Sequence, residues 1–127
     1  MMVNVKGYQF AIPLRSSMNH KENFTTKFVQ ERGKKVRKGL DYSKAVIITD
    51  KRFVSLHPFK IQQDEFLKIV KAEVHIIKSF KKYVDRYIEA YKKNDSNILR
   101  KYKFSTLQNY HDELGCKVEI TEISNES

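Results

Sequence analysis

The sequence contains no tryptophan and a single cysteine, Cys116, in 127 residues. One thiol forms neither an internal disulfide nor a Cys-x-x-Cys metal pair. Cys116 therefore reads as an incidental small apolar residue, and a reducing cytoplasm is the default setting. Only four glycines and two prolines are present, beside 40% hydrophobic and 12% aromatic residues, which sets aside disorder over the whole length. No apolar run reaches the roughly 20 residues that a membrane span needs. The opening MMVNVKGYQF lacks an apolar stretch of signal-peptide length, so export is not expected. Phosphate loops of the GxxxxGKS/T or GxGxxG kind are missing. His20, His57, His75 and His111 show neither HxxxH nor HExxH spacing. Asp41, Asp50, Asp64 and Asp85 read as scattered rather than set at strand ends, which gives a two-metal nuclease little support. Asp112-Glu113 reads as a solvated pair, and no metal or cofactor is expected.

Acidic residues are also scarce. Lys and Arg number 25 against 15 Asp and Glu, a net charge of +10. Residues 1–60 hold 13 bases and 4 acids, and residues 61–110 hold 11 and 6. The end of the chain reverses this, with 1 base and 5 acids over residues 111–127. A basic body of this kind attracts polyanions and releases their counterions on binding. A merely soluble basic surface is the plainer alternative.

The length suits one domain over residues 1–127. Val3 and Val5, then Lys6-Gly7, then Tyr8, Phe10 and Ile12 predict two strands around a tight turn, with Pro13 ending the second. About thirty residues follow without clean periodicity and read as a long loop, in which the basic run Arg32 to Gly39 should be mobile. Ala45 to Thr49 predicts a buried strand, Asp50-Lys51-Arg52 a turn, and Phe53 to Leu56 its hairpin partner closed by Pro58. From Gln63 apolar residues recur at three and four. Residues 73–92 predict a helix with Val74, Ile77, Phe80, Val84 and Ile88 facing the sheet, while 63–71 read as its extension, a turn or a strand. Asp95 or Ser96 is placed to cap a short helix through Tyr102. Ser105 with Gln108 has capping-box spacing for a further helix ended by Gly115. Val118 and Ile120 suggest an edge strand. Strands first and helices after predict an α+β fold, helices packed on a small antiparallel sheet with one long amphipathic helix.

RNA cleavage can proceed without a metal, because the 2′-OH is an internal nucleophile beside its own phosphate. A protein need only hold the two in line, take the hydroxyl proton, stabilise the charged phosphorane and protonate the leaving oxygen. Arg15, Ser16, Ser17, Asn19, His20 and Lys21 follow the predicted second strand directly. Arg15 or Lys21 can stabilise phosphate charge, Ser16 can donate to the phosphate or 2′-OH, and histidine ordinarily titrates near neutrality. An ordinary polar loop is the other reading of the same residues. Tyr83, Tyr87 and Tyr91 repeat every four, a stripe that suits packing on a sheet or stacking on bases. Tyr102, Phe104, Tyr110 and His111 lie in a basic region and admit stacking too.

Tyr8-x-Phe10-x-Ile12-Pro13-Leu14-x-Ser16, with the basic loop through His20, resembles the hairpin and active loop of type III toxin–antitoxin endoribonucleases. Residues 39–48 (GLDYSKAVII) and 106–114 (TLQNYHDEL) resemble the same family, and in particular its TenpN-like branch, related to ToxN and the AbiQ-type phage-exclusion nucleases. The resemblance touches most of residues 7–115, in short motifs whose order and spacing give it weight. It implies a metal-independent endoribonuclease with a compact, twisted antiparallel sheet and surrounding helices. Such toxins are held inactive by a small repeated RNA in ring-like or trimeric protein–RNA assemblies, and they arrest growth or abort phage infection. The family's Pro-Leu-x-Ser serine falls on Ser16. Arg15 takes a neighbouring position often held by a hydroxyl residue in relatives.

Family members also carry a few dozen residues before this hairpin, with a basic active-site residue among them. The sequence begins inside the first strand, so the expectation divides between a start set short of the gene's own and a shortened fold with impaired catalysis. The resulting functional expectation is an endoribonuclease toxin that binds its cognate antitoxin RNA and target RNAs and leaves a cyclic phosphate. Arg15, Ser16, His20 and Lys21 form its candidate active loop, and Lys34, Lys35, Arg37, Lys38 and Lys44 its backbone-phosphate contacts. The alternative is a catalytically impaired relative that serves as an RNA-binding module.

Overall fold

Two residues of positive φ in a row, the second a glycine, give the left-handed two-residue turn that matches the twist of a hairpin. The computed structural model, which describes residues 1–48 and 62–116, has two such turns. Lys6-Gly7 takes φ of 53° and 81°, and Arg32-Gly33 takes 51° and 77°. The first joins β1 (Met2–Val5) to β2 (Tyr8–Ala11), with Val3 opposite Phe10. Pro13 has no N–H to offer a ladder, and the chain resumes as β3 (Leu14–Met18) in a different sheet. The second turn joins β4 (Asn23–Glu31) to β5 (Lys34–Asp41). The long loop expected over residues 14–44, with its mobile basic run, is therefore corrected. It is a three-stranded antiparallel sheet in the order β3-β5-β4.

Its alternation was masked for physical reasons. The register shifts between Arg15 and Met18 and again between Thr25 and Lys27. On β4 the polar Thr26 is buried while Phe28 is exposed. Gly39 permits the close approach of β5 to β4, since a Cβ there would stand 2.0 Å from the Phe24 carbonyl oxygen.

β6 (Val46–Ile47) completes the other sheet, in the order β1-β2-β6, with Phe10 opposite Ile47. The strand expected over 45–49 is present in this shorter form. The turn at 50–52, the strand at 53–56 and the tail strand at 118–120 lie outside the described residues.

α1 (Gln63–Lys71) and α2 (Glu73–Lys93) are separate helices that meet at Ala72. Residues 63–71 are thus helical rather than a turn or strand. Asp64 and Glu65 open α1 and Lys68 and Lys71 close it, each sign at the dipole end it favours. α2 buries Ile76, Phe80, Tyr83, Val84, Tyr87 and Ile88, a stripe that recurs at three and four. Val74, expected in that stripe, is instead 67% exposed. It precedes Ile76 by two residues, which puts it about 200° round the helix.

Asn94 ends α2 in the left-handed region, and Asp95 caps α3 (Ser96–Arg100) by accepting from the Asn97 and Ile98 N–H groups. After Ser105 the chain makes only a 3-10 turn, Thr106–Asn109, rather than a helix running to Gly115. Ser105 Oγ accepts from Leu107 N, but the Gln108 amide donates to the carbonyls of Tyr102, Lys103 and Ser105, so the reciprocal half of a capping box is absent. Phe10, Leu40, Phe80, Val84, Leu107 and Cys116 share one buried cluster that joins strands and helices. The fold is α+β, with two small antiparallel sheets and one long helix. No helix of the described residues is long and apolar enough to cross a membrane.

Candidate functional site

The shift of register in β3 falls on Ser16 and Ser17, and Ser17 adopts a φ of 61°. A bulge of this kind interrupts pairing and re-aims side chains, and a left-handed non-glycine residue costs on the order of 1–3 kcal/mol. Ser17 donates its hydroxyl to Glu31. Ser16 is exposed and makes no hydrogen bond to another described residue. Both line a cleft of about 220 Å³ together with Arg15, His20, Asp41, Ser43, Lys44 and Phe104.

Asp41 organises this cleft. It is the last residue of β5, 1% exposed, so the reading of it as a scattered acid is corrected: it does stand at a strand end. Its Oδ2 lies 3.3 Å from Arg15 Nη1, and its Oδ1 lies 3.1 Å from His20 Nε2. Ser43 donates to Oδ1 twice, from its backbone N at 3.0 Å and from Oγ at 2.6 Å. A buried carboxylate is retained only when charge and hydrogen bonds surround it, and here the cleft's own residues supply both. Asp41 was the signal missed in the sequence, because its partners Arg15 and His20 lie on β3 and the turn after it rather than near it in the chain.

His20 is committed at both ring nitrogens. Glu22 N donates to Nδ1 at 3.1 Å, which assigns the ring proton to Nε2, facing Asp41. The His20 carbonyl accepts from Asn23 Nδ2 at 2.6 Å and from Arg37 at 3.4 Å. Lys44 reaches the Phe104 carbonyl at 2.9 Å. Phe104 itself is 73% exposed at the cleft wall, with Lys103 Nζ 4.9 Å over its ring.

The structure thus brings Arg15, Ser16, His20 and Lys44 to one cleft. Lys21 faces a neighbouring cleft instead. Of the basic run, Lys34 and Lys35 are exposed on the β4–β5 hairpin, with Lys35 over the exposed Phe28 ring at 5.1 Å. Arg37 is half-buried. Lys38 is held at 2.9 Å by Glu65 of α1, which is 1% exposed and also accepts from Thr26 Oγ1 at 2.7 Å. Burial pushes the Glu65 carboxyl up, but bonds from Lys38 and Thr26 and the charges of Lys38 and Lys27 outweigh it, so its pKa lies below the ordinary value. Lys38 is therefore a support of the fold before it is a phosphate contact.

In the tyrosine stripe Tyr83 and Tyr87 are core and Tyr91 is half-buried against it. Tyr83 donates to Ser105 Oγ at 2.8 Å, Tyr102 to the Tyr83 carbonyl at 2.8 Å, and Tyr87 meets His111 Nε2 at 2.6 Å. Burial drives the Tyr83 and Tyr102 hydroxyls well above their ordinary values and the Tyr87 hydroxyl up to about 12. Burial likewise raises the Cys116 thiol, which leaves it inert. No family model, no curated protein and no solved structure matches the chain.

Proposed function

We propose that this chain is an RNA-binding endoribonuclease, and that the Arg15–Ser16–His20–Asp41 cleft holds the phosphodiester it cleaves. One observation carries the reading: three residues singled out for phosphate chemistry converge, with Lys44, on a cleft organised by a buried carboxylate. Arg15 is fixed by Asp41 and keeps half its surface exposed, so it can meet a phosphate as a preoriented fork. Ser16 offers a hydroxyl with no hydrogen-bond partner among the described residues. In the reaction the 2′-oxygen bonds to phosphorus as its proton passes to water, and the P–O5′ bond breaks. The 5′-oxygen takes a proton back from water, and a 2′,3′-cyclic phosphate remains. Arg15, Lys44 and Ser16 stabilise the charge that develops on the phosphoryl oxygens.

The resemblance to type III toxin–antitoxin endoribonucleases extends the proposal to a cytoplasmic toxin, restrained by a small repeated RNA in an oligomeric protein–RNA assembly and acting without a metal. Such a toxin would arrest growth or abort phage infection.

A second reading draws on His20. With Nδ1 accepting from Glu22 and the Nε2 proton toward Asp41, the imidazole has no lone pair free to act as base. This favours a relative that grips RNA without cutting it. Incubation with RNA in the presence and absence of EDTA separates the two readings. The enzyme cuts equally in both, and Ser16→Ala slows it about 10²–10³-fold, the usual cost of a preorganised donor, with RNA affinity nearly unchanged. Full activity in Ser16→Ala, or activity that dies with chelation, contradicts the chemistry proposed. Binding with no cleavage selects the second reading.

A further inference from the structure

A second cleft, of about 250 Å³, lies against the first. The two share a wall at consecutive residues: His20 lines one and Lys21 the other, Asp41 lines one and Tyr42 the other. The floor of the second cleft is neutral and aromatic, and its hydroxyls are already engaged. Tyr42 pairs with Ser79 at 2.6 Å, Tyr83 with Ser105 and Tyr102 with the Tyr83 carbonyl. Asn23 is committed through both amide atoms, to the His20 carbonyl and the Thr25 hydroxyl.

The charged groups on this wall differ from the floor. Lys82 and Arg86 stand one turn apart on α2 and line the cleft with Lys21, and none of the three side chains forms an ion pair or hydrogen bond with another described residue. His75 adds a fourth nitrogen base, and Glu22 is the single carboxylate. Cations above a low-dielectric floor focus potential outward and concentrate anions there. The floor tyrosines are too buried to stack on a base, so the chemistry recognised is a phosphate rather than a nucleobase.

We propose that the second cleft holds the backbone phosphate next to the one in the first cleft, so that the substrate is a single RNA strand spanning both, of trinucleotide length or more. This rests on the endoribonuclease reading for the first cleft but not on its chemistry.

The test is binding of uncleavable 2′-O-methyl oligonucleotides, followed by backbone amide shifts. A dinucleotide, with one phosphodiester, is expected to move amides at Leu14–Met18 and Asp41–Lys44 alone. A trinucleotide also moves those at Lys21–Asn23 and Ser79–Arg86, and binds more tightly. Lys82→Ala/Arg86→Ala is expected to weaken the trinucleotide about tenfold, as loss of a charged hydrogen bond does, and to leave the dinucleotide as it was. Lys78→Ala/Lys81→Ala, two exposed lysines of the same helix outside both clefts, controls for bulk charge and preserves the trinucleotide's advantage. The proposal is overturned if the trinucleotide has no advantage, or if the two double variants weaken it alike. Failure of the parent to bind even the dinucleotide overturns the first-cleft reading as well.

Discussion

Asp41 places one negative charge inside a cleft whose other ionisable walls are Arg15, His20 and Lys44. Asp41→Asn keeps its shape and removes that charge. Arg15 loses its counter-ion and Ser43 keeps an acceptor, so the variant is expected to lose about 1–3 kcal/mol of stability, the range for weakened bonds to a buried charged group. RNA affinity should hold or rise, because a repulsive charge has gone, while cleavage falls as Arg15 loses its orientation. Melting curves and RNA titrations on the same preparation check both halves. Cleavage that stays at the parent's level in Asp41→Asn would show that Asp41 does not act by orienting cations. Arg15, Ser16 and His20 were legible in the sequence as polar residues close together after a strand. Asp41 and Glu65 were not, because a buried carboxylate is recognised only by partners that the fold brings from a distance.

The β4–β5 hairpin shows how an element escapes a reading by periodicity. Arg32-Gly33 has the same turn chemistry as Lys6-Gly7 and was the available signal, yet bulges and an exposed Phe28 broke the alternation around it. Once the hairpin is seen, its bases separate into two kinds. Lys34→Ala/Lys35→Ala is expected to reduce the log–log salt dependence of RNA binding by roughly 0.7–0.9 for each phosphate left without its lysine, with stability unchanged. Lys38→Ala is expected to destabilise, because it leaves Glu65 buried with one cation fewer. The Glu65 carboxyl has a folded pKa below its unfolded value near 4.5. Its stabilisation is therefore complete above that value and is lost as pH falls through the folded one. Urea midpoints of the parent should drop in this acid range more steeply than those of Glu65→Gln, and parallel curves would contradict the assignment. The long helix was the most legible element, although its face was set only by packing. Phe80→Ala, at a fully buried site, is expected to cost about 3–5 kcal/mol. Val74→Ala should stay within about 0.5 kcal/mol, as exposed positions do. Equal melting temperatures for the two variants would contradict this burial.

At the scale of the molecule, a charge of +10 and two adjoining clefts with cationic walls converge on one class of ligand. Charge alone gives attraction to any polyanion; the clefts decide whether a phosphodiester is held and broken. The most direct measurement uses an RNA oligonucleotide and its copies in which single residues are 2′-deoxy. Attack by the substrate's own 2′-oxygen predicts that each deoxy residue abolishes cutting at the link on its 3′ side and leaves the other links sensitive, with 2′,3′-cyclic phosphate ends on the products. Cutting that proceeds at the deoxy link, or ends that carry a 5′-phosphate, would contradict the account.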